Sequence, residues 1–216
     1  MPGWLARLAA AAEHAQVPAA LRPPGSGGRP AAVLVVFADG GEAGPDLLFI
    51  GRSADLRQHP GQPAFPGGAI DPADGGPVAA ALREGAEETG IDPAGVQVLA
   101  VLPDLYLWRT DFRVTPVLAW WHTPGPVAPG DPAEIESVAR IAVADLADPA
   151  NRLSIAYPGG SSGPAFRAGG MLIWGFTAAL LDWLLRMGGW ERPWDAARTT
   201  ELPFDQRPAG WPVTGS

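Results

Sequence analysis

Residues 67–91 read GGAIDPADGGPVAAALREGAEETGI, a glycine-rich loop running into an alanine-rich segment whose charges cluster near its end. Pro77 stands where the first helical position tolerates a residue without an N–H, and Gly90 stands where a helix closes in the left-handed conformation. The pattern therefore predicts a helix over 77–89. On it Glu84, Glu87 and Glu88 stand at i, i+3 and i+4, so their carboxylates share one face within a single turn. Like charges at that spacing raise one another's pKa and cost stability unless a cation neutralises them. A hard divalent ion does this well: Mg²⁺ takes oxygen ligands, keeps waters and completes its shell with substrate phosphates. Arg83 can pair with Glu87 at i+4 and hold one carboxylate in place. Gly67 and Gly68 allow a close backbone approach, and Asp71 and Asp74 offer further carboxylates from the loop. Taken alone, the same charges also describe a solvated acidic helix behind a glycine-rich turn.

Outward from this segment, residues 31–38 and 47–51 are short β-type runs bounded by Gly, Pro and Asp, and 96–102, 112–121 and 137–143 predict three more strands. A Pro- and Gly-rich loop at 123–132 precedes the fifth strand and an acidic turn at 144–148 follows it. A second long helix is predicted over 172–187, ended by Gly188 and Gly189. Residues 4–14 have helix-forming composition and lead into a Pro- and Gly-rich stretch, so 1–30 reads as a preface to a domain at 31–189. Residues 190–216 read as a tail with little periodicity.

The whole chain has 216 residues, 47% hydrophobic and 18% charged, which suits one globular domain. Cysteine is absent, which excludes a disulfide framework and a thiolate metal site. The first residues lack the basic-then-apolar order of a signal peptide, and the cytoplasm is the expected location. The longest apolar run, 171–181, falls short of the roughly 20 residues that a membrane span needs, so no membrane partner is expected. A formal net charge of -8 argues against nucleic acid as the main partner. Trp120, Trp121, Trp174 and Trp183 lie in apolar runs and read as core, and His122 as a structural histidine. Trp190 and Trp194 are placed to anchor the tail either to the domain or to a second subunit, which leaves a homodimer open.

Residues 68–91 resemble the Nudix box, Gx5Ex7REUxEExGU, with REGAEETGI from Arg83 matching its second half. Three departures stand out. Asp74 replaces the first Glu, eight residues rather than seven separate it from Arg83, and Gly85 replaces an aliphatic residue. The extra residue falls in the loop, where insertion is cheap; Gly85 weakens the helix by roughly 1 kcal/mol. Upstream, GRSADLRQHPGQPAFPGG at 51–68 fits RSx3Rx3Gx3FPGG, which is similar to the signature of the coenzyme A pyrophosphatase branch of that superfamily. Arg52, Ser53, Arg57, Gly61, Phe65, Pro66, Gly67 and Gly68 all match. Asp74 and the extra loop residue also look like that branch, whereas Gly85 stays unexplained. A weaker likeness continues through Glu134 and the helix beginning at Ile173, so the resemblance spans most of 31–188.

The resemblance implies an α/β fold: a Nudix-type α/β/α sandwich, with a mixed curved sheet between helices, in a single domain. It implies metal-dependent hydrolysis of coenzyme A or its thioesters into 3',5'-ADP and the phosphopantetheine half, with Mg²⁺ or Mn²⁺ as cofactor. The metal ligands expected are Glu84, Glu87, Glu88 and Asp74, with Arg83 orienting a glutamate. Substrate binding falls to Arg52, Ser53, Arg57, Gly61, Phe65, Gly67 and Gly68. Arg52 and Arg57 offer forked, always-charged partners for the 3'-phosphate of coenzyme A; Arg57 reads equally well as a surface cation pairing with Asp55, Asp71 or Asp74. His59 reads as a polar turn residue. The general base is a box glutamate, or else Glu134 or Glu136 just before the fifth strand. Two alternatives stay open: the same chemistry on ADP-ribose, NADH or an oxidised nucleotide, and a nucleotide sensor without catalysis. All three helix carboxylates remain, which counts against the sensor.

Overall fold

The run RPAAVLVVFAD is apolar on both sides of a strand, the pattern of a strand buried on both faces, and it forms the centre of the molecule. The computed structural model describes residues 2–56, 60–157, 160–202 and Arg207. In chain order its elements are α1 (Gly3–Ala12), β1 (Arg29–Asp39), β2 (Pro45–Arg52), β3 (Pro63–Ala64), β4 (Gly67–Ala69), α2 (Pro77–Thr89), β5 (Val96–Val101), β6 (Leu105–Leu107) and β7 (Phe112–Trp121). There follow β8 (Ile135–Ala142), α3 (Val143–Ala147), β9 (Arg152–Ala156), β10 (Ser162–Ala168), β11 (Met171–Ile173), α4 (Gly175–Met187) and β12 (Thr199–Thr200).

Strand β1 runs parallel to β7, from Arg29 opposite Phe112 to Ala38 opposite Trp121, while β5 and β6 pair antiparallel with β7. The other edge of β1 is shared. Its last residues pair with β2, from Phe37 opposite Leu47 to Asp39 opposite Pro45; its first half pairs with β4, from Ala31 opposite Ala69 to Val33 opposite Gly67. Beyond Leu47, β2 diverges from β1 and pairs with β3 at Ile50 and Gly51, while β8 runs along its other edge from Asp46 to Arg52. The sheet is thus mixed and splayed, and the short β4 fills the gap just before α2.

Alternation along β1 divides the core into two layers. Ala32, Leu34, Val36 and Ala38 pack beneath α2 with Ala80, Ala81 and Ile91. Val35 and Phe37 face the opposite layer, with Leu8 of α1 and Leu181, Leu184 and Leu185 of α4. Helices therefore cover both faces of a mixed sheet, as the α/β/α expectation requires. A second sheet, in the order β11-β10-β9-β12, adds Phe166, Ala168 and Ile173 to the α4 layer.

Four expectations change. Residues 172–187 are not one helix: Met171–Ile173 pairs with β10 as a strand, and Gly175, at φ +64°, turns the chain at the first residue of α4. The acidic turn at 144–148 belongs to the short helix α3. The N-terminal preface is part of the core, with Leu5 and Leu8 wholly buried. Much of the tail is packed as well. Trp190 stacks on Phe37 at 5.7 Å and lies 6.1 Å from Trp4, β12 pairs with β9, and Leu202 is buried. Aromatic anchoring does here what hydrophobic periodicity does elsewhere. Among the described residues, no helix is long and apolar enough to cross a membrane.

Candidate active site

Two glycines and a third within the helix let three backbones meet at the site. A Cβ on Gly67 would strike the Ala32 carbonyl and come within 2.7 Å of Val33 Cα; a Cβ on Gly68 would run into the Glu84 carboxylate. A Cβ on Gly85 would lie 2.6 Å from Cδ2 of Leu34, which is fully buried. Gly85 therefore lets α2 sit directly on β1, and the departure that the sequence pattern left unexplained is a packing requirement. With β4 held this close, the Gly67 N–H donates to Glu88 Oε2 at 2.8 Å.

Arg83 clasps the loop to the helix. Its Nε and Nη2 donate to Asp74 Oδ1 and Oδ2 at 3.0 and 2.9 Å, and its Nη1 donates to Glu84 Oε1 and Glu87 Oε2, each at 3.0 Å. Nη2 also approaches the Ala69 carbonyl at 3.4 Å. The paired hydrogen bonds hold the Asp74 carboxyl below its usual range, and Asp74 in turn keeps Arg83 charged. Asp74 Oδ2 accepts the Asp71 N–H as well, at 2.9 Å. Both Asp74 oxygens thus accept N–H groups, and Asp74 anchors Arg83.

The glutamates differ in environment. Glu87 is exposed, whereas burial raises Glu84 above the ordinary range and Arg83 partly opposes that. Glu88 is 7% exposed, and burial pushes its carboxyl up to about 7. The Gly67 N–H and the charge of Arg52 pull it down, while Glu84 and Glu134 push it further up. Among the described residues no three carboxylates converge into a ready-made metal cage. The donor set still fits a hard dication: every donor is an oxygen, Glu88 is a buried carboxylate and Glu84 a partly buried one, each lacking full compensation, and Arg83 Nη1 already places positive charge between Glu84 and Glu87.

The upstream signature frames the same mouth. At the end of β2 the register with β8 shifts between Gly51 and Arg52, and the Arg52 N–H donates to the Gln62 carbonyl at 3.2 Å. Ser53 is buried, and its N–H donates to the Glu134 carbonyl at 2.8 Å while its own carbonyl accepts the Gly61 N–H at 3.2 Å. Gly61 adopts φ +62° in that turn. Phe65 is 3% exposed and packs on Phe49 with centroids 4.8 Å apart, which makes it a wall of the core. Arg57 and His59 lie outside the described residues. Glu134 and Glu136 are exposed.

Sequence reasoning missed Gly130. The Ala128 and Gly130 N–H groups donate to the Thr89 and Glu88 carbonyls, each at 3.0 Å, and a Cβ on Gly130 would collide with the Glu87 carbonyl. The loop before β8 is thereby docked on the C-terminal end of α2, whose last carbonyls need partners. One glycine in a Pro-rich loop carries no sequence signal for this. Two shallow clefts, of about 470 and 270 Å³, lie beside Trp194 and Trp190, and neither is lined by α2 or β4.

A mixed sheet between helices, with a glycine-rich strand and a glutamate-bearing helix at its splayed edge, is the Nudix architecture. A NUDIX domain model matches residues 28–157, and the chain belongs to the Nudix family. An uncharacterized Nudix hydrolase, NudL, of Citrobacter koseri is 51% identical over 90 residues, covering 42% of this chain and 45% of its own. NudL of Pectobacterium atrosepticum is 50% identical over 103 residues, covering 48% and 52%. The chain spans about half the length of the curated relatives it matches. Among solved structures, a MutT protein from Methanosarcina mazei is similar at a TM-score of 0.49 and 16% identity, over 76% of this chain and 96% of that one. RenU, a Nudix hydrolase of M. smegmatis, gives 0.47 and 24% over 57% and 76%.

Proposed function

We propose that the chain hydrolyses the diphosphate linkage of coenzyme A or its thioesters, giving 3',5'-ADP and (acyl-)4'-phosphopantetheine, with Mg²⁺ or Mn²⁺ as cofactor. One observation carries this: the segment that resembles the coenzyme A signature is hydrogen-bonded to the helix that resembles the Nudix box through Gly67 to Glu88, and through Ser53 to Glu134 to the loop docked on that helix. When bound, the metal ion neutralises phosphate charge and lowers the pKa of a water. Glu84 and Glu87, with Glu88 once it is deprotonated, would hold that ion.

The remaining work belongs to the chain itself. Arg83, locked on Asp74, orients Glu84 and Glu87. Gly67 lets β4 close on β1, and Gly68 leaves room for the Glu84 carboxylate. Water attacks one phosphorus, the anhydride P–O bond breaks, and the leaving phosphate departs with its bonding pair. The water proton passes to a carboxylate, either a glutamate of α2 that is not holding the ion or Glu134, whose carbonyl accepts the Ser53 N–H. The test compares kcat/KM on coenzyme A, 3'-dephospho-coenzyme A, ADP-ribose and NADH with Mg²⁺ or Mn²⁺, identifying products by chromatography. Coenzyme A is expected to lead and to yield 3',5'-ADP. Faster turnover of ADP-ribose or NADH would overturn the substrate assignment.

A further inference from the structure

Arg83 lies on α2 and Arg52 at the end of β2, where the chain meets the loop that carries Glu134, and the structure uses them differently. Every nitrogen of the Arg83 guanidinium is engaged, by Asp74, Glu84 and Glu87. Arg83 has no donor left for a ligand. Arg52 is fixed through its main chain at the end of β2, and its side-chain Nε is buried with no hydrogen-bond partner. Arg52 pairs with Ile135 of β8, next to Glu134, and among the described residues no ion pair ties its guanidinium to a carboxylate. A buried donor without a partner is costly, and a bound acceptor removes that cost.

We infer that Arg52 binds the scissile diphosphate itself, at the Glu88 and Glu134 side of the mouth, and not the 3'-phosphate of coenzyme A. The 3'-phosphate is separated from the diphosphate by a ribose, whereas Arg52 stands opposite Ile135, next to Glu134, on the side of the site where the anhydride must lie to be cut. A substrate bearing two phosphates approaches a face already holding Glu84, Glu87, Glu88 and Glu134, and Arg83 is spent within it. Arg52 supplies the protein's own positive charge there. Its planar fork suits two non-bridging oxygens, and it stabilises the charge that gathers on the leaving phosphate.

The choice of substrates below rests on the coenzyme A reading; the contact itself does not. Arg52→Ala and Arg52→Lys are compared with the unmodified chain on coenzyme A and 3'-dephospho-coenzyme A with Mg²⁺. Arg52→Ala is expected to lower kcat/KM on the order of 10²-fold on both substrates alike, leaving their ratio unchanged. Arg52→Lys keeps the charge without the fork, so an intermediate and equally uniform loss is expected. A loss confined to coenzyme A, or none in either variant, overturns the inference. A second readout needs no turnover: inorganic pyrophosphate with Mg²⁺ should raise the melting temperature of the unmodified chain, and Arg52→Ala should lose most of that rise. Absence of the rise in the unmodified chain, or an equal rise in the variant, also overturns it. If pyrophosphate binding depends on Arg52 while neither coenzyme is cut, the substrate assignment fails and the contact stands.

Discussion

Burial of Glu88 beside Glu84 leaves its carboxyl protonating at about 7, against an ordinary 4.5. The folded protein holds that proton more tightly than the unfolded chain does. Glu88 therefore supports the fold below about pH 4.5, and that support is lost as the pH rises through 7. In metal-free protein, Glu88→Gln should match the unmodified chain near pH 4 and exceed its stability by roughly 3 kcal/mol above pH 8, as read from thermal melts. A difference that stays flat with pH would refute the assignment. Glu87→Gln should abolish turnover while the circular dichroism spectrum and melting temperature hold, because Glu87 is exposed and its loss leaves no buried gap. An unchanged rate would remove Glu87 from the metal site. The common face of the three glutamates was legible from spacing alone, since helical geometry permits little else. The Asp74–Arg83 clasp was not, because the loop conformation that brings them together has no periodic signature.

At the level of elements, α2 and β7 were readable to the residue, the first from Pro77 and Gly90, the second from a β-type run that continues on both sides of Pro116. Strands β9 to β12 were not. They are short, they mix polar and apolar residues, and the apolar β11 merges in sequence with α4 until the positive φ of Gly175 separates them. Gly85 shows the limit of family patterns at this scale. An aliphatic residue is expected there, yet Cβ atoms meet Leu34, so Gly85→Leu should lower stability by about 1–3 kcal/mol despite its better helix propensity, with a matching fall in melting temperature. A more stable variant would show that α2 can lift from β1 freely.

Across the described residues, the glutamate-bearing α2 and the pair formed by Trp4 and Trp190 lie on opposite faces of β1. Trp4, Phe37 and Trp190 form one aromatic cluster on the α4 side, and Arg152 is sandwiched between Phe166 and Trp194 while bonding Asp182. Trp190→Ala should destabilise the fold by roughly 2 kcal/mol or more while leaving kcat/KM nearly unchanged, since Leu34 and Val36 rather than Phe37 support α2. A large kinetic loss at full stability would contradict that separation. The sequence showed the two tryptophans as anchors but not what they anchor to, since ring contacts join residues far apart along the chain. The docking of the 123–132 loop on α2 has a different kind of consequence. Its attachments are main-chain amides of Ala128 and Gly130 meeting main-chain carbonyls, so apart from Gly130 and the inward-packed Val127 no particular side chain is needed to seat it. Neighbouring positions such as Thr123, Pro124 and Pro126 are therefore open to replacement, a place where selection can diversify the rim of the site without rebuilding the machinery beneath it.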